Sequence, residues 1–255
     1  MKILVSIYLF VAIILTQFFA AYFFSKGKNN YRKVFSAFIL SVGIYLFGYL
    51  MIINSNNLKE MIIWNQVQYF ALPFISVLWF VVALLYTKTI YKLNKRTVII
   101  LFFIPVVTFL MRLTNHWHQF FYKKLYIKEY FQFHSLYMER AFWYYVHISY
   151  TVLCLFLTVI TYYVGYRKKR ADYDRGELMV FLLASLLPLI GIVLILLIYD
   201  KCIIDFVALI KPISISIIGF GILKYNFLEI KTLARDTIFE NSRDGMIILE
   251  SGLNL

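Results

Sequence analysis

The sequence predicts an all-α polytopic membrane protein, a bundle of seven transmembrane helices with its N-terminus outside the cell and its C-terminus in the cytoplasm. Of its 255 residues 62% are hydrophobic and only 15% are charged, a composition that water-soluble proteins of this size do not have. The hydrophobic residues fall in stretches of roughly 17 to 25, the length of helix that crosses about 30 Å of hydrocarbon. Aromatic residues lie mainly near the ends of these stretches, at the depth of the lipid headgroups.

Seven apolar stretches are the predicted spans. In chain order they cover residues 3–24, 34–53, 61–86, 97–113, 141–165, 177–199 and 206–223. The third, fourth, sixth and seventh each contain a proline, at Pro73, Pro105, Pro188 and Pro212. Neighbouring helices can satisfy the carbonyl groups that a proline leaves free, so we expect kinked helices at these positions rather than interrupted spans.

Basic residues set the predicted orientation, because loops rich in Lys and Arg stay on the cytoplasmic side. Most of the 26 Lys and Arg residues lie after the odd-numbered spans, in clusters within residues 26–33, 88–96, 167–175 and 224–243. The net charge of +13 is therefore interpreted as a topology signal, and no nucleic-acid partner is expected. The lipid bilayer is the expected environment of the protein.

The longest outer loop, residues 114–140, is more than a connector. It holds aromatic and charged side chains without any Gly or Pro. This mixture suits either a segment lying in the membrane interface or a hairpin that caps the helix bundle.

The sequence changes character after the last span. Residues 226–241 are polar and predict a helix with Phe227, Ile230, Ala234 and Ile238 on one stripe. A turn at 244–245 and a short strand at 246–249 follow. We therefore expect a membrane domain over 1–225, a cytoplasmic exit helix over 226–243, and the first residues of a β-containing domain over 244–255.

Several segments carry a resemblance to a known family. They are YFALPFISVLWFVVALLYT (69–87), TNHWHQFFY (114–122), FWYYVHISYTVL (142–153), YDRGELMVFLLASLLPLIG (173–191), DFVALIKPISI (205–215) and LKYNFLEIKTLARDTIFENSRDGMIILESG (223–252). On these segments the chain resembles the N-terminal seven-transmembrane sensor region of bacterial histidine kinases and diguanylate cyclases, ending at the start of a PAS domain. The last segment is the most specific.

The resemblance implies a signal-sensing input module in a bacterial cytoplasmic membrane. A cue from outside or from the membrane would shift the helix packing, and the seventh helix would pass this shift to a cytoplasmic kinase or cyclase domain, or through the kinase to a response regulator. It also implies a homodimer in which Ile230, Ala234 and Ile238 pair between copies. Since residues 1–255 contain no such output domain, we expect no catalytic activity of their own and no cofactor.

Polar residues in a membrane span are costly, so each is a candidate for function. Those near the outer face are predicted to line a ligand pocket: Gln66, Gln68, Tyr69, His116, His118, Trp143, His147, Tyr150, Asp205 and Lys211. A lipid, a peptide and an apolar small molecule fit this aromatic, weakly charged region equally well.

Some of these residues have structural explanations too. His147 could hydrogen-bond to a neighbouring helix, and Lys211 could snorkel to the membrane boundary or pair with Asp205. His116 and His118 are half a metal site at best, and anchoring in the interface explains them as well, so no metal is expected. A retinal Schiff base would use a lysine such as Lys211, but the first five spans contain no Asp or Glu counter-ion.

Two other classes of function remain open. A small transporter or channel subunit would carry polar residues through the whole bilayer, and few are found in the inner half. A truncated sensor without function of its own is the other alternative.

Overall fold

Helices dominate the computed structural model, which describes residues 2–25, 30–130, 133–167, 175–198 and 204–224. The helices are α1 (Lys2–Ser25), α2 (Asn30–Asn54), α3 (Leu58–Tyr69), α4 (Leu72–Tyr86), α5 (Lys95–Leu113), α6 (Asn115–His118), α7 (Phe142–Arg167), α8 (Arg175–Ile198) and α9 (Phe206–Lys224). Two strands, β1 (Tyr122–Tyr130) and β2 (Phe133–Arg140), form an antiparallel hairpin between α6 and α7.

Every predicted span has a helix at its place in the described part of the chain. Six segments are long and apolar enough to cross a membrane: α1, α2, α3 with α4, α5, α7 and α8. The apolar part of α9, Phe206–Gly221, is shorter. A multi-pass membrane protein is therefore supported, whereas the seventh span and the orientation stay predictions. The exit helix over 226–243 and the strand over 246–249 lie outside the described residues, as do Ile230, Ala234 and Ile238.

Large apolar side chains cover the outside of the bundle. On α1, for example, Ile3 is 75% exposed and Phe18 is 64% exposed, and on α5 the exposure of Ile100 is 72%. Water would not tolerate such surfaces on so many helices, and lipid does. Inside, α2 contacts α1, α3, α4 and α9, while α4 contacts α5 and α7, and α8 lies between α7 and α9.

Aromatic rings fill the centre of the bundle. Trp79 of α4 stacks on Phe38 of α2 with ring centroids 4.8 Å apart, and its indole N–H donates to Ser185 Oγ on α8 at 2.8 Å. Close approach of α2 to α3 depends on Gly48, because a Cβ there would overlap Gln68 Cγ and lie 3.0 Å from the carbonyl oxygen of Trp64.

The third predicted span is not one continuous helix, which differs from the expected span over 61–86. Its break lies at residues 70–71, where Phe70 and Ala71 donate to the carbonyls of Val67 and Gln68 in tight turns. Pro73 lies in the first turn of α4 and has no N–H to continue the helical hydrogen bonds of α3. A proline is well tolerated at the start of a new helix, so the chain ends one helix and begins another.

The long loop over 114–140 forms a hairpin, the second of the two alternatives that its composition allowed. The all-α fold class must therefore be extended by this pair of strands. Strand pairing runs from Tyr122 opposite Arg140 to Tyr130 opposite Phe133, with one irregularity near the start. Leu136 packs with Ile52 of α2 and Met61 of α3, so the hairpin covers one end of the bundle. We call this end the hairpin end.

Candidate functional site

A cavity of about 160 Å³ lies inside the bundle, between the hairpin and helices α2, α3, α4, α7, α8 and α9. Most of its wall is apolar and partly aromatic, with side chains such as Phe38, Ile75, Trp79, Leu155 and Ile215. An engineered protein cavity of about 150 Å³ holds one benzene molecule. The cavity therefore has room for a ring-sized ligand of roughly six to ten non-hydrogen atoms.

Polar side chains gather in the part of the cavity nearest the hairpin. The amide of Gln68 donates to the carbonyl oxygen of Tyr45 at 3.3 Å, and the ammonium of Lys211 lies 5.9 Å from the centre of the Tyr45 ring. The rings of Tyr69 and His147 are 6.2 Å apart. These contacts place side chains from α2, α3, α7 and α9 in one layer.

Asp205 joins α9 to α2 in this layer. One oxygen of its carboxylate accepts hydrogen bonds from the backbone N–H groups of Val207 at 3.0 Å and Ala208 at 3.2 Å, which caps α9. The other oxygen accepts a hydrogen bond from the phenol of Tyr45. The backbone N–H of Asp205 also donates to the hydroxyl of Tyr49 at 3.1 Å, so the start of α9 is held twice by α2.

A buried arginine extends this network to α5. Arg112 is 2% exposed, and its Nε donates to Asn65 Oδ1 at 2.8 Å, while Asn65 in turn donates to Gln68 Oε1 at 3.2 Å. Its guanidinium lies 5.8 Å from the Tyr69 ring centre and 5.4 Å from the Tyr122 ring centre. No carboxylate of a described residue pairs with it, so these rings supply much of its charge stabilisation.

Tyr122 of the hairpin lines the cavity at the hairpin end. Its hydroxyl shares a 2.6 Å hydrogen bond with the hydroxyl of Tyr69, and burial raises the pKa of the Tyr122 phenol well above its ordinary value. The side chain of Asn115 fixes this position: its Oδ1 accepts from the backbone N–H groups of Phe121 and Tyr122, each at 3.0 Å, and its Nδ2 donates to the Tyr122 carbonyl at 3.0 Å.

Three buried polar atoms in the cavity wall have no hydrogen-bond partner among the described residues. They are Ser76 Oγ on α4, and His147 Nδ1 and Thr151 Oγ1 on α7. Ser76 is 4% exposed and His147 is 3% exposed. Leaving a buried polar atom without a partner costs about 1–3 kcal/mol, so each of these three side chains, which belong to residues that line the cavity, carries an uncompensated cost.

Comparison with known families decides where the chain belongs. A family model described as the N-terminal 7TM region of histidine kinase matches residues 8–231. The chain belongs to this family. The match confirms the resemblance found in the sequence, and it indicates a membrane sensor module of histidine kinases. No curated protein matches the chain.

Five of the predicted site residues of this 7TM region line the cavity. These are Gln68, Tyr69, His147, Asp205 and Lys211. They come from α3, α7 and α9 and from the residue preceding α9, so widely separated parts of the sequence meet here. Of the two explanations considered for Lys211, pairing with Asp205 is not seen among the described ion pairs.

The other five predicted residues do not line it. Gln66 is partly buried elsewhere on α3, and His116 is exposed beside Trp117. His118 hydrogen-bonds to Thr114 at 3.0 Å and to the backbone N–H of Phe120 at 3.0 Å. The indole of Trp143 donates to Thr108 at 3.1 Å, and the hydroxyl of Tyr150 donates to the carbonyl of Leu101.

Four functional candidates of the 7TM region were missed from the sequence: Tyr45, Ser76, Arg112 and Thr151. Serine and threonine in a span usually donate to the carbonyl four residues earlier, as Thr158 does to Cys154 at 2.8 Å. Ser76 and Thr151 are exceptions that only the packing reveals. Arg112 carried a usable signal, an arginine within an apolar stretch, but its position near the helix end suggested a topology residue instead.

Proposed function

We propose that this 7TM region is a sensor whose cue is a small apolar molecule bound in the central cavity. The observation that carries the proposal is the cavity itself, a ring-sized apolar space lined by three residues that each have a buried polar atom without a partner among the described residues. Pockets of this kind, apolar with a few convergent polar groups, are the usual form of a small-molecule site. A peptide or an intact phospholipid is much larger than this space.

The last helix gives such a ligand a route to the other end of the bundle. α9 turns one face to the cavity, formed by Val207, Lys211, Ser214, Ile215 and Ile218 at helical spacing. A ligand that contacts this face stabilises one position of α9 relative to α2 and α8. The effect on any output can be no larger than the difference in ligand affinity between the two helix arrangements.

Binding is tested best with a variant that fills the cavity. Ala184 lies in the cavity wall and is 2% exposed, whereas Ala21 is exposed on the lipid face of α1. We would measure Tm of the purified chain in nanodiscs with toluene, indole, 2-phenylethanol and phenylacetate, using wild type, Ala184→Phe and Ala21→Phe.

At least one of these compounds should raise Tm of wild type and Ala21→Phe but not of Ala184→Phe. A ligand at a hundred times its Kd stabilises the folded state by about 2.7 kcal/mol, which such melts resolve. If no compound shifts Tm, or if the shift survives in Ala184→Phe, the cavity is not a ligand site.

The proposed orientation places the hairpin outside the cell and the loop between α4 and α5 in the cytoplasm. Lys124 on β1 and Lys92 before α5 are both exposed. In a chain whose Cys154 and Cys202 are replaced by Ala, a membrane-impermeant maleimide should label Lys124→Cys in intact cells and Lys92→Cys only after permeabilisation. The reverse pattern would contradict the orientation.

A histidine kinase output, and hence a response regulator as partner, is the output that the family membership supports. We expect the chain to bind its cue without moving it across the bilayer. Proteoliposomes loaded with the compound that binds best should therefore show no faster efflux with wild type than with Ala184→Phe. Faster efflux with wild type would favour a transporter instead.

A further inference from the structure

We infer that the ligand of the cavity is a small aromatic monocarboxylate, whose carboxylate faces Lys211 and whose ring fills the apolar part. This inference rests on the proposed function and names its ligand class. It follows from which polar groups of the cavity already have partners and which do not.

The acceptor groups near the hairpin end are already in use. The Asp205 carboxylate accepts three hydrogen bonds, from Tyr45, Val207 and Ala208. Gln68 Oε1 accepts from Asn65, and the Tyr45 carbonyl accepts from Gln68. A ligand rich in donors would therefore find few acceptors in this layer.

The groups without partners can all donate. No described residue accepts a hydrogen bond from the Lys211 ammonium or forms an ion pair with it; its contact is with the Tyr45 ring, 5.9 Å away. His147 can donate as well, in the tautomer that carries the proton on Nδ1. A lysine offers three donors and no acceptor, so it fits an anionic ligand group.

Charge argues in the same direction. An ammonium in an apolar cavity is costly unless an anion compensates it, and Asp205 compensates Lys211 only through space, without a hydrogen bond or ion pair between them. A ligand amine would add a second positive charge beside Lys211. An alcohol could accept and donate hydrogen bonds but would leave the Lys211 ammonium without a direct ionic partner among the described residues.

The other walls fit an aromatic ring. Phe38, Tyr45, Tyr69 and Trp79 contribute ring faces and edges around a space of benzene size. The depths of the side chains in the bundle also fit a ring below a carboxylate. Thr151 lies four residues after His147 on α7, about 6 Å deeper along the helix. A carboxylate near Lys211 and His147 leaves the ring at the level of Ser76, Thr151 and Trp79.

Three probes of nearly equal size separate the possible head groups: phenylacetate, 2-phenylethanol and 2-phenylethylamine. Their Kd values would be measured by isothermal titration calorimetry on the whole chain in nanodiscs. Lys211→Met is the test variant and Lys59→Met is its matched control, since Lys59 is exposed on α3. Binding of 2-phenylethanol and Tm check that Lys211→Met is folded.

Phenylacetate should bind wild type at least tenfold more tightly than either other probe. Lys211→Met should raise its Kd at least tenfold and change that of 2-phenylethanol less than threefold, while Lys59→Met changes neither. If 2-phenylethanol binds as tightly as phenylacetate and Lys211→Met leaves both unchanged, the carboxylate inference is wrong although the cavity remains a ligand site. If none of the three binds, the inference fails, and the proposed function fails with it if toluene and indole also leave Tm unchanged.

Discussion

Tyr45 on α2 donates its phenolic hydrogen to the carboxylate of Asp205, the residue that caps α9. The side chain of Asp205 therefore caps the start of α9 and ties α9 to α2. The backbone N–H of Asp205 also donates to the hydroxyl of Tyr49, which lies one turn after Tyr45 on α2. The position of the start of α9 thus depends on α2, which also lines the cavity through Phe38, Tyr45 and Ile52.

Replacing Asp205 by Ala should destabilise the chain more than replacing Tyr45 by Phe. The Ala variant loses both the cap, which is worth about 0.5–2 kcal/mol, and the bond from Tyr45. The Phe variant loses one hydrogen bond, worth about 0.5–1.5 kcal/mol, and keeps the cap. Unfolding free energies in mixed micelles would measure both, and equal effects would contradict the double role of Asp205.

Gly48→Ala should lower Tm, whereas Gly43→Ala should change it little. At Gly48 the new methyl group meets Gln68 Cγ, whose side chain is held by two hydrogen bonds, and the backbone oxygen of Trp64. At Gly43 it meets the amide end of Gln17, a flexible side chain that can turn away, and the Thr16 hydroxyl lies 3.0 Å from it. Both positions are on α2, so helix propensity favours both substitutions equally. Equal melting temperatures of the two variants would show that the approach of α2 to α3 is not tight.

Asn115→Ala should release the first part of the hairpin. Three hydrogen bonds to Phe121 and Tyr122 are lost at a position that is 5% exposed, at a cost of about 1–3 kcal/mol. Trypsin should then cut after Lys123 or Lys124 faster than in wild type. Asn94→Ala is the control, since Asn94 caps α5 away from the hairpin. Unchanged cleavage in Asn115→Ala would mean that the strands hold the hairpin without this side chain.

Arg112→Lys should be destabilising although it keeps the charge. Lysine cannot both bond to Asn65 and lie flat against the rings of Tyr69 and Tyr122, so a buried cation loses its partners. We expect a loss of about 1–3 kcal/mol in unfolding free energy. Arg96→Lys on the same helix is exposed and should change less than about 0.5 kcal/mol. If Arg112→Lys leaves the unfolding free energy unchanged, only the charge matters at this position.

The parts of the fold that depend on composition could be predicted from the sequence, because a long apolar stretch has few alternatives to a membrane helix. The break before Pro73 is a local effect, but whether a proline kinks a span or divides it depends on the packing around Phe70 and Ala71. The hairpin was one of two alternatives, since its apolar side, with Leu136 against Met61, is recognisable only once α2 and α3 are in place.

The candidate site could be predicted only in part, and for a physical reason. A polar or charged side chain in a span is costly wherever it points, so its presence alone marks it as a candidate for function. This applies to Gln68, His147, Asp205 and Lys211. The hydroxyls of Ser76 and Thr151 would cost little free energy if they donated to carbonyl groups of their own helices. The sequence does not reveal that they lack these hydrogen bonds. His116 and His118 look like ligands by type, but their rings lie on the outside of the bundle, where Thr114 and Trp117 contact them.

Asp205 and the hydroxyls of Ser76 and Thr151 have separate roles in the described part of the chain, and this separation bears on how the proposed ligand site could diversify. The hydroxyls of Ser76 on α4 and Thr151 on α7 hydrogen-bond to no other described residue, whereas the carboxylate that positions α9 already accepts three hydrogen bonds. If the cavity binds a ligand as proposed, substitutions at residues 76 and 151 should change which molecule is preferred while the attachment of α9 to α2 stays intact. A lineage of these proteins could then acquire new chemical preferences by exchanging two small side chains, without altering the contact between α9 and α2.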